Sequence, residues 1–161
     1  MNGLSGAGGA SGAQEGNEGL RSLRVVAHGD PAAQGSKKAF KRGKKIVLVE
    51  MDEGLPAWRA AIEAAARQAA GAEWETIDGP VSIAGEIKIR KPRTTKFQDH
   101  PAGPKDLDKI LRSIGDALTK SQVITDDARI VHWCVRKVWA TNLPGLDIDI
   151  SEIGGNHGMH N

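Results

Sequence analysis

The fold is decided by residues 105–140, KDLDKILRSIGDALTKSQVITDDARIVHWCVRKVWA, where a helical pattern of apolar residues gives way to a strand-like pattern. Six apolar residues recur at spacings of three and four: Leu107, Ile110, Leu111, Ile114, Ala117 and Leu118. This spacing predicts an amphipathic helix that starts near Asp106. From Arg129 to Trp139 most residues are β-branched, aromatic or apolar, and this composition predicts a strand.

The segments before this stretch predict the other elements. A short apolar run over 23–27 and a β-branched run over 46–49 predict two strands, and residues 36–45 between them predict a basic loop. Apolar residues spaced by three and four predict a helix over 56–70, with Trp58 in the core, whereas alternation over 80–89 predicts a half-buried strand. The predicted order is strand, strand, helix, strand, helix, strand. We therefore expect an α+β fold in which a small mixed β-sheet packs with two helices.

Length and composition limit the class of protein. The chain has 161 residues, a formal net charge of +2 and 39% hydrophobic residues, which together predict one folded domain rather than a disordered chain. Seven of the first 20 residues are glycine, so we expect residues 1–20 to form a disordered tail. Residues 21–141 are then the folded domain, and residues 142–161 a partly ordered C-terminal tail.

Neither a membrane span nor a disulfide framework is expected. No run approaches the roughly 18 consecutive apolar residues of a spanning helix, and the first residues lack the pattern of a signal peptide, so we expect a cytoplasmic protein. The single cysteine, Cys134, excludes an internal disulfide and is predicted to fill the core. Gly35-Ser36-Lys37 lacks the upstream glycines of a Walker loop, so no nucleotide cofactor is expected.

Four aspartates lie near the ends of the predicted helix and strand: Asp106 and Asp108 at the helix start, and Asp126 and Asp127 just before the strand. Residues 106 and 108 lie about 200° apart on a regular helix, so their carboxylates converge only if Asp106 stands at or outside the N-cap. Carboxylate oxygens clustered in this way suit magnesium or manganese. Aspartate is also a common helix cap, and Asp-Asp a common turn, so the spacing leaves both readings open.

Positive charge is concentrated in two segments, 37–45 and 88–96, which together hold eleven lysines and arginines. Such segments beside an oxygen-ligated metal suit phosphodiester chemistry, because the cations hold the DNA backbone while Mg²⁺ activates water and stabilises the leaving oxygen. The alternative is a solvated basic surface. The candidate DNA-binding residues are Lys37, Lys38, Lys41, Arg42, Arg90, Lys91, Arg93, Lys96, Lys105 and Lys109.

Two segments carry a resemblance to a known family: DLDKILRSIGDALT, residues 106–119, and VITDDARIV, residues 123–131. They are similar to the Asp-Leu-Asp-Asn helix, the Asp-Ala-Leu segment and the Asp-Asp before a strand in the RusA family of Holliday junction resolvases, which are common in bacteriophages and prophages. The similarity runs from about Val25 to Trp139.

The resemblance implies a homodimeric, magnesium-dependent endonuclease that nicks two strands of a four-way DNA junction symmetrically in DNA recombination and repair. Manganese is a possible substitute, and the site of action is the host cell cytoplasm if a phage encodes the protein. The implied metal-binding residues are Asp106, Asp108 and Asp127, with Asp126 as a close neighbour. The same three aspartates are implied to be catalytic, and we expect Arg112 to steady the scissile phosphate.

Two positions depart from the family pattern. Lys109 stands where the family often has asparagine, and Arg112 where it often has a lysine. Arginine can grip a phosphate but cannot lose its proton in a protein, so Arg112 is not expected to act as a general acid or base. Asp116 lies four residues after Arg112, and we expect an ion pair between them on the helix surface.

The residues leave two other functions open. The first is an architectural protein that binds branched DNA without cutting it, in which the aspartates serve only as caps and turns. The second is a nuclease of the same fold that acts on flaps, replication forks or phage packaging intermediates. All these proteins would keep the basic segments, and dependence on a metal separates the nucleases from the architectural protein.

Overall fold

The computed structural model describes residues 19–35, 37–50, 52–103 and 105–154. The helices and strands of these residues are, in chain order, β1 (Ser22–His28), β2 (Lys37–Arg42), β3 (Lys45–Glu50), α1 (Leu55–Ala70), β4 (Val81–Ile89), α2 (Leu107–Lys120), β5 (Ile130–Trp139) and β6 (Gly145–Glu152). A single 3₁₀ turn, Asp127–Arg129, leads into β5. The prediction of an α+β fold with two helices and a mixed sheet is confirmed. No helix among the described residues is long and apolar enough to cross a membrane.

The main sheet has four strands in the order β1-β6-β4-β5. Strand β6 runs antiparallel to both β1 and β4, whereas β4 and β5 are parallel, so the sheet is mixed. Parallel neighbours need a long crossover connection, and α2 lies in the crossover from β4 to β5. After α2 the chain folds back along the helix before β5 begins, and the 3₁₀ turn contacts α2.

The core lies between one face of this sheet and the two helices. Trp58 of α1 and Ile114 of α2 are buried there together with Ile83 and Ile148 of the sheet, which confirms the predicted place of Trp58. The Trp58 indole N–H donates to the fully buried Ser113 Oγ of α2 at 2.9 Å. The two helices are therefore fixed side by side by a specific hydrogen bond as well as by apolar packing.

The other face of the sheet carries polar side chains, including the ion pair between Arg24 and Asp147 at 2.8 Å. Cys134 lies in β5 and is exposed, so the prediction that it fills the core is wrong. Side chains alternate along a strand, and its neighbours Trp133 and Val135 are the residues that pack against the core.

The basic segment 36–45 contains a strand rather than a loop alone. Strand β2 pairs with β3 in an antiparallel hairpin, and Gly43, with φ of 64°, turns the chain between them. Residues 37–48 are exposed, so none of the lysines among them is buried. The density of basic residues led us to expect a loop here, because β2 has no buried face that would mark it as a strand.

The C-terminal segment contributes a strand that the sequence analysis did not assign. Gly145–Glu152 forms β6, which lies inside the sheet between β1 and β4. Its buried residues alternate with polar ones, as in a half-buried strand: Leu146, Ile148 and Ile150. Residues 1–18 of the expected N-terminal tail, and residues 155–161 of the expected C-terminal tail, lie outside the described residues.

Candidate active site

The start of α2 separates the two aspartates of the Asp-Leu-Asp motif. Asp106 is the N-cap residue, with extended φ and ψ angles of −61° and 132°, so it stands outside the helix. Its carboxylate makes no capping hydrogen bond and instead pairs with Lys109 Nζ at 3.1 Å on the surface. Asp108, in the first turn, lines a cavity whose wall does not include Asp106.

This cavity, which we call the Asp108 cavity, has a volume of about 390 Å³. Its wall consists of Asp108, Leu111, Arg112, Gly115, Asp127, Ile130 and Trp133. The first four belong to α2, and the others belong to the 3₁₀ turn and β5. The crossover connection therefore brings Asp108, Arg112 and Asp127 to one concave surface.

Two features hold Asp127 against α2. The Ile77 N–H donates to the Val123 carbonyl at 3.1 Å, and the Ile77 carbonyl accepts from the Thr125 N–H at 3.0 Å, so the segment before the 3₁₀ turn is anchored. Gly115 then provides room, because a Cβ at this position would lie 3.3 Å from the Cβ of Asp127. Glycine in the middle of α2 allows the close approach of the turn.

The two neighbouring aspartates before β5 have different surroundings. Asp126 is the N-cap of the 3₁₀ turn, and its Oδ1 accepts from the Ala128 N–H at 2.8 Å. Of the two, Asp127 lines the Asp108 cavity. The sequence alone could not separate these roles, because either aspartate can start such a turn.

A second cavity, the Asp116 cavity, has a volume of about 540 Å³ and shares Arg112 and Asp127 with the first. Its wall consists of Gln34, Gly35, Lys37, Leu55, Arg59, Arg112, Asp116 and Asp127. These residues come from the loop after β1, from β2, from both helices and from the 3₁₀ turn. The two cavities therefore lie side by side along α2.

Gln34 fixes the loop after β1 to α2. Its Nε2 donates to Asp116 Oδ2, and its backbone N–H donates to the Lys109 carbonyl at 3.0 Å. Its Oε1 is buried and has no hydrogen-bond partner within the described ranges. No ion pair joins Arg112 to Asp116 in the described part of the chain, so that prediction is wrong: the carboxylate of Asp116 binds Gln34 instead.

Asp127 is the acidic residue of these cavities whose pKa is raised. Asp127 is exposed, but desolvation by the protein around it raises the pKa of its carboxyl most, and the nearby carboxylates of Asp116 and Asp126 raise it further, against a smaller lowering by the Ala128 N–H. Like charges held this close repel one another unless a cation neutralises them. The arrangement is therefore one that a bound cation would stabilise.

We expect Asp127→Asn to raise the melting temperature of the metal-free protein at pH 7 slightly, because the carboxylate is exposed and solvent screens its repulsion. The pKa of Asp127 is higher in the folded than in the unfolded chain, so its ionisation lowers stability as the pH rises through the window between those two values. The amide carries no such charge, and the difference should disappear below the usual aspartate pKa range. Calorimetry in EDTA at pH 7 and at pH 3 checks this, and a variant that melts lower than the wild type at both pH values would contradict it.

The predicted DNA-binding cations differ in what they contact. Four donate to acceptors within the chain: Arg90, Lys91, Lys105 and Lys109. Two lie over phenylalanine rings, at 5.6 Å for Lys38 and 5.1 Å for Lys96. The remaining four are exposed and form no ion pair within the described ranges: Lys37, Lys41, Arg42 and Arg93. Three of these four belong to β2, so the β2–β3 hairpin presents an accessible basic surface.

Comparison with known families decides the kind of protein in which these cavities lie. The family model described as Endodeoxyribonuclease RusA matches residues 28–151, well over half of the chain. The chain belongs to the RusA endodeoxyribonuclease family. It is a structure-specific endonuclease of the family that resolves Holliday junctions, as the resemblance in the sequence implied. The RusA match includes the walls of both cavities and nearly all of β6. A search of curated proteins found no match.

Nucleases of the RusA family generally depend on a divalent metal. Within the described ranges, no group of three or more histidine, cysteine, aspartate or glutamate side chains could hold a metal ion. Mg²⁺, however, keeps several waters and is usually bound by one or two carboxylates together with substrate phosphate. Asp108 and Asp127 on one concave surface meet that requirement, so the residues fit a magnesium ion that is completed by the substrate.

Sequence reasoning missed several residues in the walls of the two cavities. Asp116 had a usable signal, because the spacing of four through Asp108, Arg112 and Asp116 puts all three on one side of α2. Gln34 and Arg59 had none, since they reach the Asp116 cavity only through tertiary packing of a loop and of α1.

Proposed function

We propose that this RusA domain is a magnesium-dependent endonuclease that resolves four-way DNA junctions by paired, symmetrical nicks in recombination and repair. The observation that carries the proposal is the concave surface on which Asp108, Arg112 and Asp127 lie together. That surface is part of the match to an endodeoxyribonuclease family. Manganese is expected to replace magnesium, because both ions take carboxylate oxygens.

The proposed roles follow from the chemistry of each side chain. Asp108 and Asp127 supply the oxygen ligands, and Asp126 is the neighbouring carboxylate that can bind the metal through water. Asp106 is the third proposed catalytic carboxylate, and its ion pair with Lys109 must open before it can bind the metal. When bound, the ion activates water and stabilises the leaving oxygen.

Arg112 is the proposed contact to the scissile phosphate. Its guanidinium lies in the wall of both cavities, between Asp108 on one side and Asp116 on the other. A guanidinium donates two parallel hydrogen bonds to phosphate oxygens and stays protonated. Arg112 therefore orients the phosphate and does not exchange a proton with the reacting atoms.

The basic segments are proposed to hold the arms of the junction. Lys37, Lys41 and Arg42 of the exposed hairpin form no ion pair in the described part of the chain, so they can bind phosphates without losing an internal partner. Such contacts hold DNA regardless of its sequence. Recognition of a branched substrate then depends on where two hairpins stand relative to each other.

The working form is proposed to be a homodimer that acts in the cytoplasm, of the host cell if a phage encodes the protein. A four-way junction has two-fold symmetry, and paired nicks need two active sites related by the same symmetry. Each protomer would supply one pair of cavities.

The test is incubation of the purified protein with a supercoiled plasmid that extrudes a cruciform, in Mg²⁺, in Mn²⁺ and in EDTA. We expect linear product from two coordinated nicks in either metal and none in EDTA, with a relaxed plasmid left uncut. Tight binding without nicks in either metal would contradict the proposal and favour an architectural protein. Cleavage of labelled flaps or forks in preference to a synthetic four-way junction would instead indicate a nuclease for another branch.

A further inference from the structure

Three cations from three different elements line the Asp116 cavity: Lys37 of β2, Arg59 of α1 and Arg112 of α2. None of the three forms an ion pair in the described part of the chain, although Asp116 and Asp127 lie in the same wall. Six other arginines pair with carboxylates: Arg21, Arg24, Arg67, Arg90, Arg129 and Arg136. Among the described residues, the cations of this cavity therefore lie beside acidic groups without forming an ion pair with them.

Arg59 is the member of this set that has no assigned role. Its neighbour Trp58 is held by the 2.9 Å hydrogen bond to Ser113 of α2, so the core fixes the backbone of α1 at Arg59 relative to α2, and Arg59 and Arg112 line the same cavity. Arg59 is only half-buried and contributes no hydrogen bond or ion pair to the fold within the described ranges. A side chain with this placement is available for a ligand.

The chemistry of the cavity indicates an anion with several oxygens. Two guanidinium groups on facing helices can donate parallel hydrogen bonds to one phosphate, and arginine binds phosphate in this bidentate way. A phosphate held there lies beside Asp127, which also borders the Asp108 cavity. We propose that Arg59 binds the phosphate at the cut position of the DNA strand together with Arg112, an inference that rests on the proposed function.

The first test compares Arg59→Gln with Arg67→Gln as a matched control. Both remove one positive charge from α1, but Arg67 lies two turns further along and pairs with Glu63 outside the cavity. In Ca²⁺, which is expected to permit binding without cleavage, we expect Arg59→Gln to weaken binding to a four-way junction about tenfold. The plot of log K against log salt concentration should become less steep by about one unit of slope, the contribution of one phosphate contact. An unchanged affinity and slope, or equal changes in the Arg67→Gln control, would overturn the proposal.

The second test asks which phosphate Arg59 contacts. The position of the nick is first mapped with the wild-type protein, and the junction is then made with a neutral methylphosphonate at that phosphate. We expect the wild type to lose several-fold in affinity for the modified junction, and Arg59→Gln to lose much less. Equal losses in the two proteins would show that Arg59 does not touch this phosphate.

These results are distinguishable from a failure of the proposed function itself. If the wild-type protein neither nicks nor binds the junction, the proposed function is overturned and this inference with it. If the wild type nicks the junction, and Arg59→Gln binds the junction with the same affinity and the same salt dependence as the wild type, the inference alone is overturned. Arg59→Lys keeps the positive charge but loses the paired N–H donors of the guanidinium. It is expected to restore the salt dependence of binding and only part of the affinity.

Discussion

Replacing either Asp108 or Asp127 by asparagine is expected to abolish junction nicking while binding of the junction is retained. The two carboxylates share the wall of the Asp108 cavity and are the proposed oxygen ligands of the metal. Loss of one charged ligand removes several kcal/mol of transition-state stabilisation, so the cleavage rate should fall by at least about 10³-fold. Single-turnover cleavage of a labelled junction measures the rate, and a gel-shift titration measures the binding.

The matched control for this pair is Asp149→Asn. Asp149 is an exposed aspartate of β6 on the polar face of the sheet, outside the walls of both cavities. The control is expected to nick at the wild-type rate. An Asp108→Asn or Asp127→Asn protein that keeps more than about a tenth of the wild-type rate would exclude that residue from the reacting centre.

Gly85→Ala is expected to cause a large loss of stability. Gly85 has a φ of 146°, and a Cβ at this position would lie 2.1 Å from the Asp147 carbonyl oxygen of the paired strand. The neighbour is backbone in the middle of the sheet, so it cannot move aside without breaking the pairing of β4 with β6. Overpacking and backbone strain together should lower the free energy of unfolding by about 3 to 5 kcal/mol.

Urea unfolding of Gly85→Ala and of Gly103→Ala measures this effect. Gly103 lies in the loop before α2, and a Cβ there would meet nothing within 4 Å. The control should change the free energy of unfolding by less than about 0.5 kcal/mol. A loss below about 1 kcal/mol in Gly85→Ala would mean that the two strands are less closely packed at this point than the structure shows.

The fold was predictable where a repeating pattern coincided with burial. The spacing of Ile110, Ile114 and Leu118 predicts α2 because those residues face the core, where all three are fully buried. Strand β2 escaped prediction because all of its residues are exposed, so no core face marks it in the sequence, whereas the run over 46–49 predicted β3. Strand β6 had the alternating signal in Leu146 and Ile148, but its aspartates and glycine resemble those of a loop.

The candidate site was predictable only in part, for a different reason. Asp108 and Asp127 stand beside local motifs, the start of a helix and a turn before a strand, so residue type and spacing place them among four candidate aspartates. That Asp127 rather than Asp126 lines the cavity depends on the anchoring of the segment before the 3₁₀ turn by Ile77, a residue far away in the chain. Arg59 comes from α1, and its place beside Arg112 depends on helix packing.

The most direct measurement is the position of manganese in crystals soaked with Mn²⁺, located by its anomalous scattering. We expect a peak in the Asp108 cavity, bonded to carboxylate oxygens of Asp108 and Asp127 and absent from crystals of Asp127→Asn. A peak only on the polar face of the sheet, beside Asp147 and Asp149, with none in the Asp108 cavity of the wild type, would contradict it.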